Sequence, residues 1–181
     1  ARGAYVEPMV LADTSAGPIL IADGARVAAF TRLVGPCAIG RDTLIAGGRV
    51  SGCSIGDHAR VHGEISTSIV IGHANKAHDG FVGHSVLGRW SNLGAGTITS
   101  NLKNSYGDVQ LWTPRGLVNT GMPFLGTMLG DHAKTAIGTR LTTGTVVGAG
   151  ANLFGDQMPP KFVPPFADRK STRLNSSHTD I

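Results

Sequence analysis

Apolar side chains recur at every sixth position along the first part of the chain. They are Ile21, Val27, Leu33, Ile39 and Ile45. Small residues stand four places after the first four of them, and these are Ala25, Thr31, Cys37 and Thr43. A helix buries one face every 3.6 residues and a strand every second residue, so a period of six fits neither. A short, fixed repeat indicates a stack of similar turns.

The repeat continues through most of the sequence. It resumes at Ile55 and Val61, and then at Ile69, Asn75, Phe81, Leu87 and Leu93. The last run comprises Leu129, Thr135, Leu141, Val147 and Leu153. We interpret each hexapeptide as one face of a triangular coil of about eighteen residues, with its aliphatic side chain inside. Neighbouring coils would pair as parallel strands, so the predicted fold is an all-β parallel β-helix of hexapeptide repeats.

Two segments break the repeat. Residues 101–123 are rich in turn-forming residues and predict an extended loop insertion. Because Leu93 and Leu129 are separated by a multiple of six, the coils are expected to continue beneath this insertion. Residues 157–166 are rich in proline, which cannot donate a hydrogen bond to a sheet, and they predict that the β-helix ends near Leu153.

The two ends of the chain receive separate interpretations. Residues 1–166 are assigned to the hexapeptide-repeat domain, and the absence of an initiating methionine predicts a fragment that has lost an upstream domain. The run DRKSTRLNSSH, from Asp168 to His178, is polar and aperiodic and is similar to translated sequencing-adapter DNA. We therefore expect residues 167–181 to be a non-native tail.

Composition and charge narrow the range of functions. With 26 glycines, 6% aromatic and 15% charged residues, the sequence disfavours a helical bundle. The net charge is +4, but the scattered Lys and Arg residues disfavour nucleic acid and suit anionic small molecules. Cys37 and Cys53 give no disulfide framework, and no segment of ~20 apolar residues could span a membrane. We therefore expect a cytoplasmic protein.

The most informative segment is EISTSIVIGHANKAHDGFVGHSVLGRWSNLGAGTITSN, residues 64–101. It resembles the acetyltransferase half of the bifunctional glucosamine-1-phosphate acetyltransferase and N-acetylglucosamine-1-phosphate uridyltransferase. It resembles still more closely a group of sugar nucleotidyltransferases that share its NKAHDG and NLGAGT strings. The resemblance implies a left-handed β-helix and a homotrimer with sites at the subunit seams. It also implies acetyl transfer from acetyl-CoA to an amino-sugar phosphate or nucleotide sugar for the cell envelope. Any Mg²⁺ would belong to the missing N-terminal domain.

The resemblance also implies roles for five residues. His78 matches the histidine that acts as general base on the sugar amine, and an imidazole suits that role because it can accept a proton near neutral pH. Glu64 matches a carboxylate near that base, where it would orient the imidazole. Asn92 matches an asparagine that contacts the acceptor, while Ala95 and Asn101 match residues that contact the coenzyme. Main-chain N–H groups of the glycine-rich turns would stabilise the thioester oxyanion.

Two positions depart from the acetyltransferase pattern. Phe81 replaces a tyrosine three places after the catalytic histidine, so a hydroxyl group able to bind phosphate is lost. Ser66 replaces a lysine two places after the glutamate, so a cation is lost. The contacts to an acceptor phosphate are therefore expected to differ from those of the acetyltransferase.

Two other functions fit the same residues. His73 and His78 are five apart, like the paired zinc ligands of γ-class carbonic anhydrases, with Cys37 where that family has another histidine and with His58 and His62 nearby.

Alternatively, the β-helix is a non-catalytic trimerisation and regulatory domain of a nucleotidyltransferase. The replaced tyrosine and lysine favour this alternative. Trp90 and Trp112 are expected at a subunit contact rather than at a cofactor site.

Overall fold

The chain winds into a three-faced parallel β-helix. A computed structural model describes residues 2–170, and this part of the chain contains 26 strands and no α-helix. Each full coil adds one strand to each of three parallel sheets, which we call faces A, B and C. The predicted all-β parallel β-helix is confirmed, and its stacked coils agree with the left-handed winding that the resemblance implies.

The strands are numbered along the chain and distributed over the faces as follows. Face A contains β1 (Tyr5–Val6), β4 (Arg26–Val27), β7 (Leu44–Ile45), β10 (Arg60–Val61), β13 (Asn75–Lys76), β16 (Asn92–Leu93), β21 (Lys134–Thr135), β24 (Asn152–Phe154) and β26 (Asp168–Lys170). Face B contains β2 (Leu11–Asp13), β5 (Thr31–Val34), β8 (Gly48–Ser51), β11 (Glu64–Ser66), β14 (Phe81–Gly83), β17 (Ile98–Thr99) and β22 (Arg140–Leu141). Face C contains β3 (Ile19–Ile21), β6 (Cys37–Ile39), β9 (Ser54–Ile55), β12 (Ile69–Val70), β15 (Val86–Leu87), β20 (Met128–Leu129), β23 (Val146–Val147) and β25 (Phe162–Val163).

The period of six locates the core in the first and last coils. Four of the predicted positions in the first block are at most 2% exposed, namely Val27, Leu33, Ile39 and Ile45. Ile21, nearer the N-terminal end of the β-helix, is half-buried. In the last block all five predicted positions are buried, namely Leu129, Thr135, Leu141, Val147 and Leu153. The inside of the prism is therefore a stack of aliphatic side chains, closed at the corners by small residues.

From residue 69 to residue 81 the predicted register is wrong by one residue, whereas the predicted positions on either side of this stretch are at most 2% exposed, namely Ile55, Val61, Leu87 and Leu93. Ile69 is exposed, while Asn75 and Phe81 are only partly buried; the side chains that point inward there are Val70, Lys76 and Val82. The reason is coil length. Arg26 pairs with Leu44, eighteen residues later, whereas Arg60 pairs with Asn75, only fifteen residues later. The shorter coil moves the side chains that follow it to the other side of the sheet, and the six-residue positions point inward again from Leu87.

The β-helix also continues beyond Leu153, contrary to the sequence prediction. Val146 pairs with Phe162, and Asn152 pairs with Asp168, which adds another coil. The prolines are tolerated because the ladder uses the carbonyl groups of Lys161 and Val163 as acceptors, and these need no proline N–H. The boundary expected at residue 167 falls within this coil, and residues 171–181 of the expected tail lie outside the described residues.

The insertion leaves the coils where the sequence predicts it. Val86 pairs with Met128 and Leu87 with Leu129, so the β-helix continues beneath it as expected. The inserted segment forms an antiparallel hairpin of β18 (Gln110–Thr113) and β19 (Gly116–Asn119). No helix in the described part of the chain is long and apolar enough to cross a membrane.

Candidate functional site

His78 lies at a corner of the prism, between β13 on face A and β14 on face B. This corner comprises residues 77–80, and the His78 side chain is exposed. Its imidazole makes no hydrogen bond or ion pair with another described residue. Both ring nitrogens are therefore open to a substrate, which a general base requires.

A buried lysine supports this corner from inside. Lys76 is only 1% exposed, and its ammonium group donates hydrogen bonds to the main-chain carbonyl groups of His78 and Asp79, the latter at 3.0 Å. Burial lowers the pKa of Lys76. The sequence did not reveal this residue, because the six-residue register placed Asn75 inside instead.

Ala95 lies in the same corner of the next coil. The N–H group of Gly96 donates to the carbonyl of Asp79 at 2.9 Å, which ties the two corners together. The carbonyl of Ala95 accepts the N–H group of Gly138, one coil further on, at 2.7 Å. Two of the predicted site residues, His78 and Ala95, are therefore brought together by the stacking of adjacent coils.

Asn92 lies on face A, in strand β16, which leads into the corner that contains Ala95. Its Oδ1 atom accepts a hydrogen bond from Nδ2 of Asn75 at 2.7 Å, across the paired strands β13 and β16. Oδ1 of Asn75 is buried and has no partner among the described residues. The asparagine pair is thus fixed by the sheet register and leaves one buried acceptor unused.

Glu64 has a different partner from the one expected. Its carboxylate lies 3.2 Å from the guanidinium group of Arg49, and both side chains are 47% exposed. The pairing of β8 with β11 places these two residues opposite each other on face B. Within the described part of the chain, Glu64 makes no hydrogen bond to His78, so the expected orienting contact is not formed.

Asn101 lies where face B meets the insertion. Its Nδ2 atom is 2.8 Å from Nδ1 of His84, and the His84 ring stacks on Phe124 at a centroid distance of 5.2 Å. Burial lowers the pKa of His84. Because the N–H group of Leu125 donates to the carbonyl of Asn101 at 2.9 Å, the insertion forms one wall beside this predicted coenzyme contact.

Face B connects the His78 corner with Asn101. A Cβ atom at Gly83 would overlap both the ring of Phe81 and the amide of Asn101, so these two side chains lie across the same glycine. Ser66 pairs with Gly83 on the neighbouring strand. A substrate lying along face B would therefore meet an aromatic ring and a serine where the resemblance predicts a tyrosine and a lysine.

A second histidine lies in the same corner as His78, one coil earlier. Nδ1 of His62 is buried and lies 3.1 Å from Oδ1 of Asp79, within ion-pair distance but without the alignment of a hydrogen bond. Its ring packs over Gly47, which lacks a side chain. The sequence suggested His62 only as a distant zinc ligand, because residues sixteen or seventeen apart give no local signal of contact.

The structure separates the two histidines of the zinc alternative. His73 lies at the corner between faces C and A, where its ring stacks on His58 at 4.9 Å and on Trp90 at 4.2 Å, whereas His78 lies at the next corner. Residues 2–170 contain no group of three or more His, Cys, Asp or Glu side chains able to hold a metal ion. A zinc site within one chain is therefore not supported.

Both tryptophans have partners within the chain. Trp90 is 53% exposed and belongs to a column of stacked rings that reaches His132 at 6.4 Å. Trp112 stacks on Phe162. The expectation of a subunit contact at these residues stays a prediction, but each has a structural role inside one protomer.

Curated proteins of similar sequence are bifunctional enzymes. The bifunctional sugar-1-phosphate nucleotidylyltransferase/acetyltransferase of Sulfurisphaera tokodaii is 29% identical over 91 residues, covering 50% of this chain and 23% of the relative. The bifunctional protein GlmU of Methanococcus vannielii is 35% identical over 98 residues, covering 52% of this chain and 23% of the relative. GlmU of Synechococcus elongatus is 26% identical over 162 residues, covering 90% of this chain and 28% of the relative.

The predicted resemblance is confirmed. The chain spans about a quarter of the length of these GlmU-type relatives. No protein-family profile matches the chain.

Likeness among solved structures is more distant. A Bacillus cereus protein of proposed acetyltransferase activity aligns over 86% of this chain and 74% of its own, with a TM-score of 0.47 and 15% identity. The Bacillus cereus N-acyltransferase AntD, solved with dTDP and coenzyme A, aligns over 90% of this chain and 75% of its own, with a TM-score of 0.32 and 9% identity.

Proposed function

We propose that the chain is a hexapeptide-repeat acyltransferase that moves an acetyl group from acetyl-CoA to the amine of an amino-sugar phosphate or nucleotide sugar. The observation that supports this most is the exposed, unpartnered imidazole of His78, which lies one coil from Ala95 in the NLGAGT turn. The Sulfurisphaera tokodaii relative, a bifunctional sugar-1-phosphate nucleotidylyltransferase/acetyltransferase, supports the same reaction.

His78 is the general base of the proposed reaction. The acceptor amine must be neutral to attack a thioester, and an imidazole can take its proton near neutral pH. The amine nitrogen then forms a C–N bond to the carbonyl carbon, and the C=O electron pair moves to oxygen. When the intermediate collapses, the C–S bond breaks and the thiolate of coenzyme A takes the proton from the imidazolium of His78.

Other residues are assigned binding roles in this proposal. Asn92 contacts the acceptor and Asn101 contacts the coenzyme beside the insertion, while Glu64 shapes the acceptor side of face B through its ion pair with Arg49. Because the acceptor and the coenzyme both carry phosphate groups, the surplus of Lys and Arg over Asp and Glu favours their approach. We further propose a cytoplasmic homotrimer whose sites lie at the subunit seams.

The reaction is tested by following thiol release from acetyl-CoA with glucosamine 1-phosphate as acceptor. We expect acceptor-dependent release by the wild type and a loss of about 10²–10⁴-fold in His78→Ala, since this is the usual contribution of a general base. His132→Ala is the matched control, because His132 is also an exposed corner histidine but lies at the corner between faces C and A. It should keep the wild-type rate.

The same experiment separates the alternative function. The replacement of the expected tyrosine and lysine by Phe81 and Ser66, and the pairing of Glu64 with Arg49, favour a non-catalytic trimerisation and regulatory domain. A folded trimer that releases no thiol with glucosamine 1-phosphate or another amino sugar would support that alternative and contradict the acyltransferase proposal.

A further inference from the structure

Lys76 places a cation inside a core that is otherwise built from aliphatic and small side chains. It is one of the largest fully buried side chains of the molecule. Burying an ammonium group is unfavourable unless hydrogen bonds replace its water. Here the replacements are the main-chain carbonyl groups of His78 and Asp79, which must turn toward the interior to reach it.

Turning these carbonyl groups inward fixes the direction of the neighbouring N–H groups. Gly35-Pro36 is the one cis peptide among residues 2–170, so the peptide bonds at this corner are trans. In a trans peptide the C=O group of one residue and the N–H group of the next point in opposite directions. The N–H groups of Asp79 and Gly80 therefore point away from Lys76.

These two N–H groups are available to a ligand. Neither donates to another described residue, whereas in the next corner the N–H groups of Gly96 and Thr97 are both used within the β-helix. Gly63 in the preceding coil adopts φ +89°, and a Cβ atom there would lie 3.1 Å from the nitrogen of Gly80. The glycine thus keeps space open beside this donor.

We propose that residues 77–80 form an oxyanion-binding turn, in which Lys76 is a positioning residue that aims the N–H groups of Asp79 and Gly80 at a carbonyl oxygen beside the imidazole of His78. The ligand class is a carbonyl oxygen that gains negative charge, as a thioester does under attack. A cation on the two carbonyl groups also polarises the same peptide units and strengthens their N–H groups as donors. The identity of this oxygen rests on the proposed function, but the existence of the turn does not.

Asp79 itself moderates the affinity of the turn for anions. Its side chain is 89% exposed and lies 3.1 Å from Nδ1 of His62. An exposed carboxylate is screened by water, so it opposes an anion only weakly. Asp79→Asn keeps the main-chain donors and removes this charge, and it should bind anions more tightly than the wild type.

The turn is tested directly by titrating the full chain with sodium acetate, a small carboxylate, and following the amide resonances of ¹⁵N-labelled protein. We expect the Asp79 and Gly80 amides to shift in the wild type and not in Lys76→Met. In Lys161→Met they should shift as in the wild type. Lys161 is a matched control because its ammonium group also donates to a corner carbonyl, that of Thr143, on another corner of the prism.

The kinetic consequence is a split between kcat and KM. Loss of oxyanion donors lowers kcat by about 10²–10³-fold in other enzymes, so Lys76→Met should lose about that much with little change in the KM for acetyl-CoA. Lys161→Met should keep the wild-type kcat. Should Lys76→Met fail to fold, Lys76→Gln retains a neutral donor and is expected to give intermediate values.

Two results would overturn the inference. One is the absence of any acetate-dependent shift of Asp79 and Gly80 in the wild type. The other is a folded Lys76→Met variant that keeps those shifts. If the shifts appear as expected but the wild type transfers no acetyl group, the acyltransferase proposal fails while the oxyanion-binding turn stands.

Discussion

Trp112 stacks face to face on Phe162, with ring centroids 3.4 Å apart and ring planes inclined by 7°. The contact joins the tip of the insertion to β25 on face C of the last coil. Val109, which leads into the hairpin, is completely buried, and its side chain lies beside Gly144. The insertion is therefore packed against the β-helix. It contacts the C-terminal coils at Phe162 and Gly144, and it also borders Asn101 at the candidate site.

Removing this ring should weaken the attachment of the insertion. We expect Trp112→Ala to lower the free energy of unfolding by about 1–3 kcal/mol, since both the stacked contact and buried apolar area are lost. Urea unfolding measures the change. Leu117→Ala is the control, because Leu117 pairs with Trp112 across the hairpin but is exposed. Equal losses in the two variants would mean that the stacking contributes nothing.

A second pair of variants compares the contributions of an inward-pointing and an outward-pointing side chain to the stability of the fold. Leu93 is buried inside the prism, while Ile98 on face B is half exposed. We expect Leu93→Ala to lose about 2–5 kcal/mol of unfolding free energy, because a cavity remains in a closely packed core. Ile98→Ala should change it by less than about 1 kcal/mol. Denaturant titrations of both variants test the assignment, which a smaller loss in Leu93→Ala would contradict.

The fold could be predicted because a stack of similar coils requires inward-pointing side chains at a regular spacing in the sequence. Val27 to Ile45 and Leu129 to Leu153 keep that period, and their side chains lie where the sequence places them. The positions from Ile69 to Phe81 could not be predicted in the same way, because the coils there are shorter and the register moves by one residue. A short apolar run such as Ile69-Val70-Ile71 fits either register equally well, so only the pairing of β12 with its neighbours decides it.

In the candidate site, too, some features could be predicted from the sequence and others could not. The sequence predicts His78 and Ala95 as site residues because the NKAHDG and NLGAGT strings are specific, and the stacking of coils brings their corners together. The pairs Glu64 with Arg49 and His62 with Asp79 join residues fifteen to seventeen positions apart. Such contacts depend on the length of each coil, which the sequence pattern did not give. The sequence did not predict that Lys76 is buried, because lysine side chains are almost always exposed to solvent.

Burial of the two thiols gives a chemical prediction. Desolvation inside the prism raises the pKa of Cys53 to about 11, and burial also raises the pKa of Cys37. The thiolate is the reactive form, so both cysteines should be protonated and unreactive at pH 8. We expect Ellman's reagent to label neither cysteine in the native protein and both in denaturant. Rapid labelling of the native protein would contradict the buried positions.

The ion pair between Arg41 and Asp57 gives a prediction for acid stability. Hydrogen bonds from the Arg41 side chain, and then from its main-chain N–H group, lower the pKa of Asp57, whose Oδ2 lies 2.8 Å from the guanidinium group. A carboxylate with a lowered pKa stabilises the fold above its unfolded pKa of about 3.9, and this contribution is lost as the pH falls through the folded value. Asp57→Asn should therefore be less stable than the wild type at pH 7, and the difference should shrink below about pH 4.

Urea midpoints measured at pH 7 and pH 3 test this sign, with Asp108→Asn as the control. Asp108 lies in the insertion, and its carboxylate makes no ion pair with a described residue, so this variant should differ little from the wild type at either pH. A deficit in Asp57→Asn that stays the same at both pH values would show that the residue acts through packing or neutral hydrogen bonds. In that case the charge of Asp57, and with it the ion pair to Arg41, would not stabilise the corner.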